Sequence, residues 1–229
     1  MDKRRLCALI PAYNSEATIA EVVRRARSHA ARVVVVDDGS RDRTARIARQ
    51  AGAHLLGSRL NHGKGHALAL GFAYALRNGF EAVVTLDADL QHDPDDIPRF
   101  LRRQAESGAD LVIGDRMHAR AAIPGVRRVP NAIGTRCFTW LIGQPIRDSQ
   151  CGFRLYRCGL LSAVPVITSG FDTESDLLLR AGRRGFKIEF LPIPAIYPDG
   201  DDGGSFYRPI RDTYYICTNF LKNWWWRQR

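Results

Sequence analysis

The apolar positions of this chain fall into two alternating patterns. Short, continuously apolar runs such as Val33–Val36 are typical of strands buried on both faces, and longer segments with helical spacing separate them. The predicted strands cover 6–10, 33–36, 54–56, 82–86, 111–113 and 187–191. The predicted helices cover 15–29, 42–50, 67–76, 95–107, 131–141 and 174–183. This alternation predicts an α/β fold with a Rossmann-like, mostly parallel sheet and helices on both faces.

Composition narrows the classes of function. The 229 residues carry a formal net charge of +10, which favours an anionic partner such as an anionic membrane surface or a phosphorylated substrate. We expect no nucleic acid partner, because the arginine-rich helices contain no nucleic-acid-binding motif. Five widely spaced cysteines without a C-x-x-C pair favour a reducing compartment. Since no apolar run approaches the ~18–20 residues of a membrane-spanning helix, we predict a cytoplasmic protein that is peripheral at the inner face of the membrane.

The segment 85–92 reads Thr-Leu-Asp-Ala-Asp-Leu-Gln-His and continues a predicted buried strand. In an extended chain, Asp87, Asp89 and Gln91 point to one side. Two such carboxylates repel each other, a divalent cation relieves the repulsion, and ligands made only of oxygen favour Mg²⁺ or Mn²⁺. We therefore predict a metal site at these three residues. The alternative is turn and helix-capping chemistry, a role that suits Asp93 and Asp95.

Two more polar segments lie at predicted element ends. Asp37 and Asp38 follow a strand, where carboxylates can accept hydrogen bonds from a ribose or a base; a turn that caps the next helix is the alternative. The glycine-rich segment 61–66 opens a helix, and its Lys64 adds positive charge, which suits an anion; a loop without a ligand is the alternative. Neither P-loop spacing nor a G-x-G-x-x-G fingerprint is present, so a dinucleotide-binding fold is disfavoured.

Taken in order, the segments 11–14, 36–40, 63–65 and 87–92 resemble the successive signatures of family-2 glycosyltransferases. The resemblance covers residues 6–190 and is closest to the dolichyl/polyprenyl-phosphate sugar synthase branch. It implies a GT-A fold and inverting transfer from a nucleotide-diphosphate sugar, UDP- or GDP-linked. It also implies that a metal at Asp87, Asp89 and Gln91 bridges the donor diphosphate. The donor-binding candidates are Pro11, Tyr13, Asn14, Asp37, Asp38, Lys64, Asp87 and Ala88.

Two downstream segments also resemble the family. Segment 148–154 is similar to its D-x-x-S-G-F-R loop near the reacting sugar, with Cys151 in place of the serine, and segment 171–174 is similar to its acidic segment at a helix start. Loop and capping chemistry is the alternative for both. The catalytic candidates are Asp89, Asp148 and Glu174. Arginine can grip a phosphate bidentately, and the acceptor or phosphate-binding candidates are Arg116, Arg128, Arg154 and Arg208.

The acceptor is predicted to be lipid-linked or membrane-associated, with a polyprenyl phosphate as the first choice. An ionised phosphate needs no strong general base, whereas a hydroxyl acceptor on a glycan requires Asp148, Asp172 or Glu174 to accept a proton. A nucleotidyltransferase is an alternative enzyme class, since it would also use paired aspartates with Mg²⁺, but the ordered motifs argue against it. A basic, non-enzymatic binding module would leave the segment 87–91 unexplained.

The last predicted segment differs in composition from the rest of the sequence. Residues 206–229 combine eight aromatic side chains with basic residues, and apolar side chains recur there at helical spacing. Tryptophan and basic residues together suit a membrane interface. The alternative is a helix that packs on the body of the protein or in a dimer interface, and the dimer interface would make the protein an oligomer. We predict a GT-A glycosyltransferase domain at 1–205 and a C-terminal amphipathic helical extension at 206–229.

Overall fold

The computed structural model describes residues 5–116, 135–136, 138–167 and 173–194. The strands are β1 (Leu6–Ala12), β2 (Arg32–Asp38), β3 (His54–Ser58), β4 (Ala82–Thr85), β5 (Leu111–Asp115), β6 (Arg154–Arg157) and β7 (Ile188–Pro192). The helices are α1 (Ile19–Arg27), α2 (Thr44–Gln50), α3 (Lys64–Arg77), α4 (Ile97–Ser107), α5 (Cys158–Ala163) and α6 (Thr173–Arg183). A 3₁₀ turn, Pro94–Asp96, precedes α4, and residues 138–142 are helical.

The strands of the described chain form one sheet in the order β3-β2-β1-β4-β6-β5-β7. β1 pairs in parallel with β2 and β4, and β5 pairs in parallel with β7. β6 runs antiparallel to both of its neighbours, β4 and β5. The predicted mostly parallel sheet is confirmed. Because β6 runs against β4, its amino end lies at the same edge of the sheet as the carboxyl end of β4.

Helices cover both faces of this sheet, as predicted. On one face, α1 packs against α2 and against the 3₁₀ turn that leads into α4; on the other, α3 packs on β1 and β2 and contacts α5 and α6. The packing of α3 is close: a Cβ added at Gly71 would lie 2.1 Å from Leu9 Cδ1. The central strands are therefore buried on both faces, which explains the uninterrupted apolar run of β2.

Several element boundaries differ from the sequence prediction. The first helix begins at Ile19 instead of residue 15, because the Ser15 carbonyl accepts the N–H groups of Thr18 and Ile19 in a preceding turn. α3 begins at Lys64, three residues before the predicted start at 67, directly after the positive φ of Gly63. Neither β6 nor α5 was predicted, since β6 consists of four residues with arginine at both ends and lacks an apolar run.

Some predictions lie outside the described residues. They concern Asp172, Arg128, Arg208, the start of the predicted helix at 131–141, and the extension at 206–229. The division of the chain at residue 205 stays a prediction.

Candidate active site

The predicted site residues that the structure describes lie at one edge of the sheet. β1, β2 and β4 are parallel, so the segments that follow them emerge side by side. The register pairs Thr85, the last residue of β4, with Arg154, the first residue of β6. The loop 148–153 therefore reaches this edge from the opposite chain direction. The segments 11–14, 37–40, 85–92 and 148–153 therefore lie together at this edge.

The segments after β1 and β2 are tied together by hydrogen bonds. Asp37 Oδ1 accepts the N–H of Ser40 at 3.1 Å and also the Ser40 hydroxyl. The Asn14 N–H donates to Ser40 Oγ at 2.9 Å, and Asn14 Oδ1 accepts the N–H of Arg41 at 2.9 Å. Asn14 holds a left-handed backbone conformation with φ of 50°. The predicted donor contacts Asn14 and Asp37 thus lie in two segments that hydrogen bonds hold together.

Asp38 fixes the glycine-rich loop, a role that the sequence analysis missed. The residue is buried, and its carboxylate accepts the N–H groups of His62 at 3.0 Å and Gly63 at 2.6 Å. Its neighbour Gly39 has φ of +78°, and a Cβ there would lie 2.7 Å from the carbonyl carbon of Leu60. The aspartate and glycine of the motif therefore set the position at which α3 begins.

Lys64, at the first turn of α3, forms the electrostatic centre of the site. Its Nζ lies 2.6 Å from Asp87 Oδ1 and 3.1 Å from Glu174 Oε2. Burial would lower the pKa of Lys64, but the Asp87 and Glu174 carboxylates raise it above its ordinary value. Burial would raise the pKa of Asp87, but the Lys64 ammonium outweighs it and holds this pKa at about 2. Lys64 and Asp87 are therefore charged at neutral pH.

The close approach of Lys64 and Asp87 requires a glycine opposite them. A Cβ at Gly152 would lie 2.6 Å from Asp87 Oδ2 and 3.0 Å from Lys64 Nζ. The other carboxylate of the cluster is incompletely used, since Glu174 Oε1 is buried and has no hydrogen-bond partner among the residues that the structure describes. This free acceptor lies at the start of α6, in the family-like acidic segment.

Asp89 and Gln91 lie just beyond this cluster. The Gln91 N–H donates to Asp89 Oδ1 at 3.0 Å, and Leu90 between them has a positive φ of 63°. Desolvation, and then repulsion from Asp87, raise the pKa of Asp89. Two carboxylates that repel each other, next to an ammonium already drawn to one of them, mark a place where cations are attracted.

The donor set fits a hard divalent cation. Asp87, Asp89 and Gln91 offer oxygen ligands only, and Mg²⁺ commonly uses one or two protein carboxylates together with substrate phosphates. Across the described part of the chain, no three His, Cys, Asp or Glu side chains converge into a ready-made metal cluster. The oxygen atoms of Asp87, Asp89 and Gln91 are ligands of the type that such a cation prefers.

His92 links the segment after β4 to the loop 148–153. Its Nδ1 lies 3.5 Å from the Asp87 backbone nitrogen, and its Nε2 lies 3.8 Å from Cys151 Sγ. Burial lowers the pKa of His92 to about 4, so the ring is neutral. Burial also raises the pKa of Cys151 to about 12, so the residue that replaces the family's serine is an inert, packed thiol.

Asp148 is held in a buried ion pair. Its Oδ2 accepts Arg116 Nε at 2.9 Å, and its Oδ1 accepts the N–H groups of Gln150 at 2.9 Å and Cys151 at 3.0 Å. Burial would raise the pKa of Asp148, but the Arg116 guanidinium outweighs it and lowers this pKa. The predicted catalytic residue and one predicted phosphate-binding arginine thus neutralise each other.

Arg154 has a structural position that corrects the prediction of a phosphate contact. The side chain is fully buried, and its guanidinium donates to the carbonyls of Cys151 at 2.6 Å, Glu174 at 2.8 Å and Ser149 at 2.8 Å. With no exposed surface, this arginine joins the loop 148–153 to the start of α6.

The remaining predicted donor contacts line the same edge. Pro11 and Tyr13 are half-buried at the end of β1. Ala88 is buried, and its carbonyl accepts the Thr18 hydroxyl, which ties the segment after β4 to the start of α1. No helix among the described residues combines the length and apolar character needed to cross a membrane.

Comparisons with known proteins agree with this geometry. The model of the family described as Glycosyl transferase family 2 matches residues 7–164. The chain is 30% identical over 207 residues to undecaprenyl-phosphate mannosyltransferase of Micrococcus luteus, with 82% of each chain covered. It is 31% identical over 205 residues to polyprenol monophosphomannose synthase of Mycolicibacterium smegmatis, covering 83% of this chain and 77% of the relative.

A solved structure supports the fold independently. The chain superposes on glucosyl-3-phosphoglycerate synthase from Mycobacterium tuberculosis, solved with Mn²⁺, UDP-glucose and phosphoglyceric acid, with a TM-score of 0.71. The superposition covers 95% of this chain and 79% of that chain, at 21% sequence identity. The predicted GT-A fold is confirmed.

Proposed function

We propose, from the premise that this chain belongs to glycosyl transferase family 2 and is a glycosyltransferase, that it moves a sugar from a UDP- or GDP-linked donor to a polyprenyl phosphate. The observation that carries the proposal is the charged cluster of Lys64, Asp87 and Glu174 beside Asp89, at the strand ends where open α/β sheets bind ligands. Relatives named as undecaprenyl-phosphate and polyprenol-phosphate mannosyl enzymes support the acceptor class.

The donor half of the reaction needs positive charge. Negative charge develops on the leaving diphosphate as the sugar–phosphate bond breaks, and preorganised cationic groups stabilise it. Asp87 and Asp89, with Gln91, would hold Mg²⁺ or Mn²⁺, which supplies Lewis-acid stabilisation of the diphosphate when bound. Lys64 supplies a buried ammonium from the start of α3, where the helix dipole also favours an anion. The hydrogen-bonded segments that contain Asn14 and Asp37 would hold the nucleoside.

The acceptor half favours an ionised nucleophile. A hydroxyl acceptor needs a general base within reach, but Asp148 is committed to Arg116 and to two backbone N–H groups, and its pKa is lowered. Glu174 is engaged with Lys64. A lipid phosphate is already ionised and needs no such base. This supports a polyprenyl phosphate over a hydroxyl acceptor, and a peripheral position at the membrane surface.

Calorimetry tests the donor half. We expect UDP or GDP to bind with Mn²⁺, to lose binding in EDTA, and to bind Asp89→Ala at least about tenfold more weakly, since a metal ligand is lost. Transfer of labelled sugar to polyprenyl phosphate, compared with the matching polyprenol, tests the acceptor half. Absence of binding by either nucleotide under every metal condition contradicts the donor site, and transfer to the alcohol alone contradicts the acceptor class.

A further inference from the structure

Lys64 and the expected metal need the same carboxylate. The ammonium lies 2.6 Å from Asp87 Oδ1, well within ion-pair distance, and its side chain is only 18% exposed. A divalent cation on Asp87 would repel an ammonium at that distance strongly, because the surroundings are poorly solvated. Lys64 and the metal therefore cannot both keep their full contact with Asp87.

Lys64 has a second carboxylate with which its ammonium can pair. Glu174 Oε2 already holds the ammonium at 3.1 Å, and the buried Oε1 of the same carboxylate has no hydrogen-bond partner within the described part of the chain. Glu174 can therefore keep the ammonium when Asp87 releases it. A donor diphosphate next to the start of α3 would supply further negative charge for the same group.

We propose that Lys64 is a built-in counter-ion of Asp87 that the donor–metal pair displaces. Without nucleotide, the ammonium neutralises Asp87 and weakens metal binding. When the donor arrives, its diphosphate and Glu174 take over the ammonium, and Asp87 becomes available to the cation. This inference rests on the proposed function, and its consequence is that nucleotide and metal bind with positive coupling, each preparing the site for the other.

The test uses Lys64→Met, which removes the charge and keeps the length of the side chain. Calorimetry or Mn²⁺ paramagnetic resonance measures metal affinity with and without UDP or GDP. Without nucleotide, we expect Mn²⁺ to bind the variant on the order of tenfold more tightly than wild type, because a competing charge is gone. With Mn²⁺ present, we expect nucleotide to bind the variant more weakly, since the ammonium no longer meets the diphosphate. A rise in Mn²⁺ affinity together with a fall in nucleotide affinity distinguishes the exchange of the Lys64 ammonium from a simple contact between Lys64 and a phosphate.

Lys187→Met is the matched control, since the Lys187 ammonium donates to the Ser107 carbonyl at 2.7 Å, outside the site. It should leave both affinities unchanged. If Mn²⁺ binds Lys64→Met no more tightly than wild type without nucleotide, the exchange is wrong. If wild type binds no nucleotide with any metal, the proposed function is wrong instead, so the two failures are distinguishable.

A second measurement covers the case in which Lys64→Met does not fold. The chain has four lysines, Lys3, Lys64, Lys187 and Lys222, so ¹⁵N-lysine labelling gives four Nζ signals in the wild-type protein. We expect the Lys64 signal to move when Mg²⁺ and nucleotide are added together, and much less with Mg²⁺ alone. A Lys64 signal that stays in place with both ligands bound would overturn the exchange.

Discussion

The alanine substitution at Gly152 tests the geometry of the charged cluster most directly. A Cβ there would lie 2.6 Å from Asp87 Oδ2 and 3.0 Å from Lys64 Nζ. Both are closer than a methyl group can approach without displacement. Any retreat of the Asp87 carboxylate changes its contacts, because His92 Nδ1 lies 3.7 Å from the same oxygen and Lys64 holds the other. We therefore expect Gly152→Ala to push the ion pair apart.

The cost follows from overpacking. Inserting a methyl group into a tight site costs about 1–3 kcal/mol, which for a chain of this size lowers the melting temperature by about 2–12 °C. Donor binding in the presence of Mn²⁺ should weaken by more than about tenfold, since Asp87 is a predicted metal ligand. Thermal denaturation and calorimetry measure the two effects.

Gly159→Ala is the matched control. Gly159 lies in α5, and a Cβ there meets nothing within 4 Å. Alanine should leave donor binding unchanged and should stabilise the helix by about 0.5–1 kcal/mol. The reasoning about crowding is refuted if Gly152→Ala melts and binds the donor like wild type, or if both alanine variants behave alike.

Three more outcomes are expected. Asp148→Asn should destabilise the fold by about 3 kcal/mol, seen in urea denaturation, because the ion pair with Arg116 loses its buried negative charge. Because the pKa of Asp148 is lowered on folding, its stabilisation is present above about pH 4 and is lost as pH falls; the variant should lack this acid-sensitive part. Cys151, with its pKa raised to about 12, should resist iodoacetamide at pH 8 until urea is added, as peptide mass spectrometry would detect. Gly39→Ala should lower the melting temperature more than Gly79→Ala, since both glycines have positive φ but only Gly39 faces nearby backbone.

The donor edge could be predicted from sequence because its geometry is local. In a parallel α/β sheet, residues that directly follow buried strands emerge at one edge, so the segments at Asp37 and Asp87 could be placed together without coordinates. The alternative of capping chemistry is also present nearby: Asp93 accepts the Asp95 N–H ahead of α4. In the sequence, only the position of each aspartate relative to the predicted strand end distinguishes a predicted metal ligand from a helix-capping residue.

The rest of the site depends on tertiary contacts that leave no local pattern. Nothing in the spacing of Lys64 and Glu174 indicates that the starts of α3 and α6 would meet at Asp87. Arginine in a family-like loop suggests phosphate binding, yet Arg154 serves three backbone carbonyls. The sequence gives no signal for this role, because β6, the strand that begins at Arg154, lacks an apolar run.

The placement of β6 also limits how early the sheet can be completed during synthesis. β5 is made before β6, yet β6 lies between β4 and β5 in the sheet. A nascent chain that ends before residue 154 therefore leaves β4 and β5 without the strand that joins them, and open strand edges of this kind invite intermolecular pairing. Closing the gap requires contacts between residues that are far apart in sequence, which form slowly. The cluster around Asp87 can therefore be completed only after Gly152 and β6 have been synthesised.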